Sequence, residues 1–204
     1  MKDKGSQAGW GFWLGWVVAS TLGWLVGFII AFFLLAIVGG IVGEDTGMNV
    51  LGLILGAFIF GASLGSMVGI LQWLVLRRCV SGAGWWVLAS AAAGYGTLQA
   101  GFMPFSTSLQ SFGVYLSWTR VVALGGAVTG TLQWLVLRGQ VSRAGWWVLA
   151  STVGWGLGAT VARAFPWGVD MGDAVGALVV TGAILGALTG GALVWLLRQP
   201  AKEA

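Results

Sequence analysis

The chain has 204 residues, 58% hydrophobic and only 8% charged, with a mean hydropathy of +0.91. Soluble domains carry about 25% charged residues, so a water-soluble globule is excluded, and a single membrane-embedded domain spanning 1–204 is expected at this length. The net charge of +4 comes with no histidine and one cysteine, Cys79, which rules out an internal disulfide and removes the commonest general base, metal ligand and haem ligand.

Six apolar stretches follow one another along the chain. The first, 10–38, follows Lys2 and Lys4 and opens on Trp10, Trp13 and Trp16. It is too long for a removable signal peptide and lacks a small-x-small cleavage site. Glu44, Asp45 and Thr46 precede the second stretch, 48–76, where anionic and hydroxyl side chains suit a helix N-terminus. The second stretch closes on Leu71-Gln72-Trp73-Leu74-Val75-Leu76-Arg77, with Arg78 and Cys79 just beyond. Cys79 is a candidate for acylation, with a bystander role the plainer reading.

The third stretch, 84–102, opens on Gly84-Trp85-Trp86-Val87-Leu88-Ala89-Ser90, carries Gln99 in its outer part and is stopped by Pro104. Thr107 and Gln110 have the spacing of a capping box before the fourth, 110–137. That stretch carries Arg120 and ends on Leu132-Gln133-Trp134-Leu135-Val136-Leu137-Arg138. The fifth, 145–163, opens on Gly145-Trp146-Trp147-Val148-Leu149-Ala150-Ser151, ends at Arg163 and is stopped by Pro166. Asp170 and Asp173 open the last, 171–197, which finishes on Val194-Trp195-Leu196-Leu197-Arg198.

Both long motifs recur at a shift of 61 residues, Ser90 to Ser151 and Arg77 to Arg138, and Trp16-Val17-Val18-Ala19-Ser20 is a looser first copy. All six stretches are near or above the ~20 residues that cross a ~30 Å hydrocarbon core, the return stretches being the longer. Backbone in lipid must satisfy its own hydrogen bonds, so runs of this length are helices. The expected fold is an all-α membrane protein: six transmembrane helices as three repeated hairpins, about 8–78, 79–139 and 140–199. A pseudo-threefold arrangement about the membrane normal is the simplest assembly, and a linear row of hairpins the alternative.

Charge sets the topology. Lys2, Lys4, Arg77, Arg78, Arg138, Arg143, Arg198 and Lys202 fall at one set of ends, and Glu44, Asp45, Asp170 and Asp173 at the other. The positive-inside rule places both termini in the cytoplasm. The basic balance therefore reports orientation, and no nucleic-acid partner is expected. Trp10, Trp13, Trp16, Trp73, Trp85, Trp86, Trp134, Trp146, Trp147 and Trp195 lie near the same cytoplasmic ends, as an interfacial belt or packing residues do, whereas Trp24 and Trp155 lie deeper.

Counting back from the terminal arginines, Gly61, Gly65 and Gly69 match Gly182, Gly186 and Gly190, and Gly126 and Gly130 occupy the last two positions in the middle copy. This small-xxx-small zipper lets backbones approach closely in lipid, and its recurrence in each unit favours contacts within the chain. Gln72, Gln99 and Gln133 read as interhelical hydrogen-bonding groups. Arg120 and Arg163 sit near the outer edge of the core, where they snorkel or pair with Glu44, Asp170 or Asp173. The functional alternative makes these five a solute- or ion-handling cluster.

The paired Leu-Gln-Trp-Leu-Val-Leu-Arg and Gly-Trp-Trp-Val-Leu-Ala-Ser motifs resemble a group of uncharacterised multi-spanning bacterial proteins, notably from cyanobacteria and Chloroflexi-like lineages. The resemblance covers most of the chain and implies a bacterial origin, without an activity; with six helical spans, the expected location is the bacterial cytoplasmic membrane. No phosphate loop, metal-ligand spacing or nucleophile–base pair appears, so catalytic and cofactor residues are expected to be none. The expected function is that of a non-enzymatic structural or accessory subunit with almost no polar interior, packed against lipids, other membrane-protein subunits or copies of itself. The alternative is a small channel or transporter.

Overall fold

The computed structural model describes residues 9–42, 50–102, 118–165 and 171–199, and all of its regular structure is helical. Six helices follow the apolar stretches: α1 (Trp10–Val42), α2 (Val50–Leu76), α3 (Trp85–Phe102), α4 (Trp118–Leu137), α5 (Trp146–Ala162) and α6 (Met171–Leu197). Four of them, α1, α2, α4 and α6, are long and apolar enough to cross a membrane. The longest is α1 at 33 residues, against the expectation that each return helix exceeds its partner. Its apolar run continues through Gly39 and Gly40 to Val42 with no proline or charge to end it.

Each helix packs on the helix before and the helix after it, and α6 returns to pack on α1. The bundle is therefore a closed ring, not an open row. Neighbours are antiparallel. A Cβ added to Gly23 or Gly27 of α1 would meet the Cα of Val68 or Leu64, respectively, on α2, so one helix ascends as the other descends.

The glycines counted back from the arginines lie at three of the six seams. An added Cβ on Gly61 would press on Gly94 and Tyr95 of α3, and on Gly65 or Gly69 against Ser90. On Gly126 and Gly130 it would meet Trp155, Ser151 and Val148 of α5. On Gly182, Gly186 and Gly190 it would meet Thr21, Val17 and Trp16 of α1. Backbones at these seams are close enough that only glycine fits.

Two short connections, 77–84 and 138–145, are built alike. In each, two backbone N–H groups fold back on the last helical carbonyl (Cys79 and Val80 to Leu76; Gln140 and Val141 to Leu137). Each then passes through a left-handed residue, Gly82 at φ +68 and Arg143 at φ +59. Arginine in that region is uncommon and glycine is not. Gln140 ties the two connections together: its side-chain oxygen accepts from the Ser81 backbone N–H at 2.7 Å and from its hydroxyl at 2.9 Å. We call this the basal end. The chief hydrophobic cluster sits here, around Trp16, Leu76, Trp86, Leu137, Trp147 and Leu193. Cys79 is buried in that cluster, which removes it as an acylation site in the folded chain.

Outward faces carry stripes of exposed apolar residues at helical spacing: Leu14, Val18, Leu22 and Val26 on α1, and Leu149, Val153 and Leu157 on α5. A soluble protein rarely exposes contiguous apolar surface on this scale, and a membrane location accounts for it.

Candidate functional site

The repeated Trp-Trp pair places one indole outward and one inward. Trp85 and Trp146 are exposed, whereas Trp86 and Trp147 are 0% and 1% exposed, as is Trp16 at 0%. These three buried rings, from α1, α3 and α5, meet on the axis of the ring. Their centroids are 5.7 Å (Trp16–Trp86), 6.1 Å (Trp16–Trp147) and 5.2 Å (Trp86–Trp147) apart, two of the pairs edge-to-face, within the range aromatic pairs favour. Of the two roles expected for the basal tryptophans, belt and packing, these three take packing. All three are almost fully buried, with Trp147 also facing the cavity above, and they pack as a plug. Trp10, Trp85, Trp146 and Trp195 do face outward.

A buried indole N–H needs an acceptor. Trp86 donates to Gln72 Oε1 at 3.0 Å, and Trp147 donates to Gln133 Oε1 at 3.0 Å. Because indole is only a donor, the amide must turn its oxygen to the ring and its NH2 away. Gln72 Nε2 then donates to Ser20 Oγ at 3.0 Å and Gln133 Nε2 to Ser90 Oγ at 2.9 Å. Each glutamine thus joins three helices: its own, the serine's and the tryptophan's.

The third position differs. Leu193 stands five residues before Arg198, as Gln72 and Gln133 stand before Arg77 and Arg138. Without that amide, Trp16 donates instead to Thr189 Oγ1, one turn earlier on α6, at 3.1 Å. Ser151, the counterpart of Ser20 and Ser90, is left buried with no hydrogen-bond partner, and so is Thr181 Oγ1. A buried hydroxyl in this state costs about 1–3 kcal/mol.

Above the plug lies a chamber of about 500 Å³ lined by all six helices. Its floor carries Trp147 with Gln72, Gln133, Ser20, Ser90, Ser151 and Thr189. Its walls are apolar and aromatic, with Trp24 edge-on to Trp155 at 5.6 Å and Phe28 edge-on to Phe60 at 5.8 Å. Arg163 borders it at the far end, about 24 Å along the helix from Trp147. The interior is therefore more polar than expected. Ser20, Gln72, Ser90, Thr129, Gln133, Ser151, Thr181 and Thr189 are all buried.

The other predicted residues fall as follows. Arg120 is exposed in the first turn of α4 and does not line the chamber. Asp173 lies in the first turn of α6, at the same end as Arg163. Glu44 and Asp170 lie outside the described residues, as do the side chain of Gln99 and the capping residues Asp45, Thr46, Thr107 and Gln110. At the basal rim Arg77 and Arg138 cover the rings of Trp73 and Trp134 at 5.3 and 5.6 Å. Sequence reasoning passed over the serines. The signal was there: Ser20, Ser90 and Ser151 each follow an inward tryptophan by four residues, the spacing that puts two side chains on one helix face.

Among the described residues no cluster of His, Cys, Asp and Glu can hold a metal. No protein-family model matches the chain, and no curated protein or solved structure is similar to it.

Proposed function

We propose that this chain is a non-enzymatic, six-span protein of a bacterial cytoplasmic membrane that holds a small lipophilic molecule inside its ring. The observation that carries the reading is the chamber of about 500 Å³ above Trp16, Trp86 and Trp147. Ligand sites are concavities of ~300–1,000 Å³ with mostly apolar walls and a few placed polar groups, and this chamber has that character. Three fully buried indoles at its basal end speak against a continuous pore.

The six-span count rests on α3 and α5, of 18 and 17 residues, about 27 and 26 Å long at 1.5 Å per residue, close to the hydrocarbon thickness. Three hairpin repeats with pseudo-threefold symmetry are supported by the matching Trp86–Gln72–Ser20 and Trp147–Gln133–Ser90 linkages. The arginines of the basal end support a cytoplasmic placement of that end and of both termini, which turns the Arg163 side of the chamber outward.

One observation favours a second reading, an accessory subunit. The outer third of α1 exposes Ile29, Phe32, Phe33, Ile37 and Ile41, a surface that lipid or another membrane protein would cover. Gentle purification from the native membrane, with mass spectrometry of everything that co-migrates, separates the two. One lipophile per chain is expected. A stoichiometric companion polypeptide and no lipophile would put the accessory reading first.

A further inference from the structure

Hydroxyls inside apolar helices normally donate back to the carbonyl four residues earlier. Ser90 bonds Trp86 in this way at 2.8 Å, Thr129 bonds Gly125 at 2.8 Å, and Thr189 bonds Leu185 at 2.5 Å. Ser151 and Thr181 are exceptions. They are 2% and 8% exposed, both line the chamber, and neither has a partner. Both sit on the α5–α6 wall; Ser151 lies at the base, where the network lacks its third glutamine because Leu193 stands in its place, and Thr181 lies farther out.

Their separation follows from the packing. A Cβ on Gly158 would lie 3.1 Å from Thr181 Cγ2, which sets Thr181 level with Gly158. That is seven residues above Ser151, roughly 10 Å along the axis. Between the two levels the wall is Trp155 and Leu185. The wall is thus polar, apolar, then polar again, and uncharged throughout.

We infer that Ser151 and Thr181 form a hydrogen-bonding subsite for a neutral, elongated lipophile that carries hydroxyl or carbonyl oxygens at two places roughly 10 Å apart. This rests on the reading of the chamber as a ligand site and adds the chemistry of the ligand. The apolar body lies along Trp155 and Leu185. Because Ser151 Oγ and Thr181 Oγ1 are closed off in the packed chain, each side chain turns about χ1 to present its hydroxyl to the inner and the outer oxygen, respectively. A charged inner end is excluded by the floor, whose groups are amides, hydroxyls and indoles. Ordered water alone is the competing way to satisfy the two hydroxyls.

The test uses the purified full chain in detergent and three radiolabelled probes: octanediol with a hydroxyl at each end, octanol and nonane. Binding is read by equilibrium dialysis against protein-free micelles, for the wild type and for Ser151→Ala and Thr181→Val. Both substitutions conserve volume and remove a partnerless hydroxyl, so folding is expected to hold, and circular dichroism checks it. Octanediol should bind best, and each substitution should weaken it roughly three- to tenfold while leaving nonane unchanged. If all three probes bind and neither substitution separates them, water serves the hydroxyls, and the subsite is overturned while the chamber reading stands. If none exceeds the micelle blank, the chamber reading itself fails.

Discussion

Trp86 donates its indole N–H to Gln72 at 3.0 Å, across the boundary between two helices and a tight connection. The same bond recurs 61 residues later between Trp147 and Gln133, and in both places the amide passes the linkage on to a serine. The basal plug is therefore a hydrogen-bonded structure as well as an aromatic one. Where the amide is missing, at Leu193, Ser151 is left without a partner.

The first prediction concerns that linkage. Gln133→Leu leaves the Trp147 N–H buried without an acceptor and takes a donor from Ser90. It should destabilise the folded chain by about 1–3 kcal/mol, read as a lower midpoint of unfolding in a detergent series. Leu193→Gln should do the reverse by about 1 kcal/mol, because Ser151 and Trp16 stand where its amide would reach. A fall in midpoint for Leu193→Gln would show that the base of α6 does not share the register of α2 and α4.

The second concerns the seams. In Gly186→Ala the new Cβ would sit 2.8 Å from Val17 Cα, and in Gly130→Ala 2.9 Å from Val148 Cα. These are backbone atoms that cannot step aside, so each change should cost about 1–3 kcal/mol. Gly96 has open space around it, and Gly96→Ala should be neutral or gain up to about 1 kcal/mol in helix propensity. Thermal unfolding of the three variants side by side checks the contrast.

The plug makes a third prediction. Trp147→Ala removes one of three mutually touching rings, the one that lines the chamber floor, costs about 3–5 kcal/mol and opens the chamber toward the basal end. Liposomes carrying the variant should leak small ions faster than liposomes carrying the wild type. Equal permeability would mean that something other than the indoles seals the ring.

Orientation supplies the fourth. Gly139 is exposed with open space around it in the α4–α5 connection, whereas Cys79 is buried. Gly139→Cys in a Cys79→Ala background should react with a membrane-impermeant maleimide in inside-out vesicles and stay unlabelled in intact spheroplasts. The opposite pattern would invert the topology.

Helix positions and the basic end were legible because each depends on local sequence: apolar length and arginine position. Which face of each helix points inward was not. Trp85 and Trp86 are neighbours of the same type, yet one is 69% exposed and the other fully buried. In a membrane both faces of a helix are apolar, so hydrophobic periodicity cannot tell lipid from core. Ring closure was legible only as the simpler of two assemblies, a pseudo-threefold arrangement against a linear row. The glycines at 182, 186 and 190 announce a close contact, but nothing local says that the contact is with α1. The serines went unread because the motif that carries them is dominated by its tryptophans. Glu44 and Asp170, on which the outer ion-pair reading partly rested, fall outside the described residues.

The central claim is that the ring holds a lipophile, and native mass spectrometry of protein taken gently from its own membrane tests it most directly. The wild type should carry one small neutral lipophile per chain. Ala159→Trp, which fills the chamber from a buried lining position, should lose that mass while remaining folded. Identical spectra for the two proteins, bare or bearing only bulk phospholipid, would contradict the account.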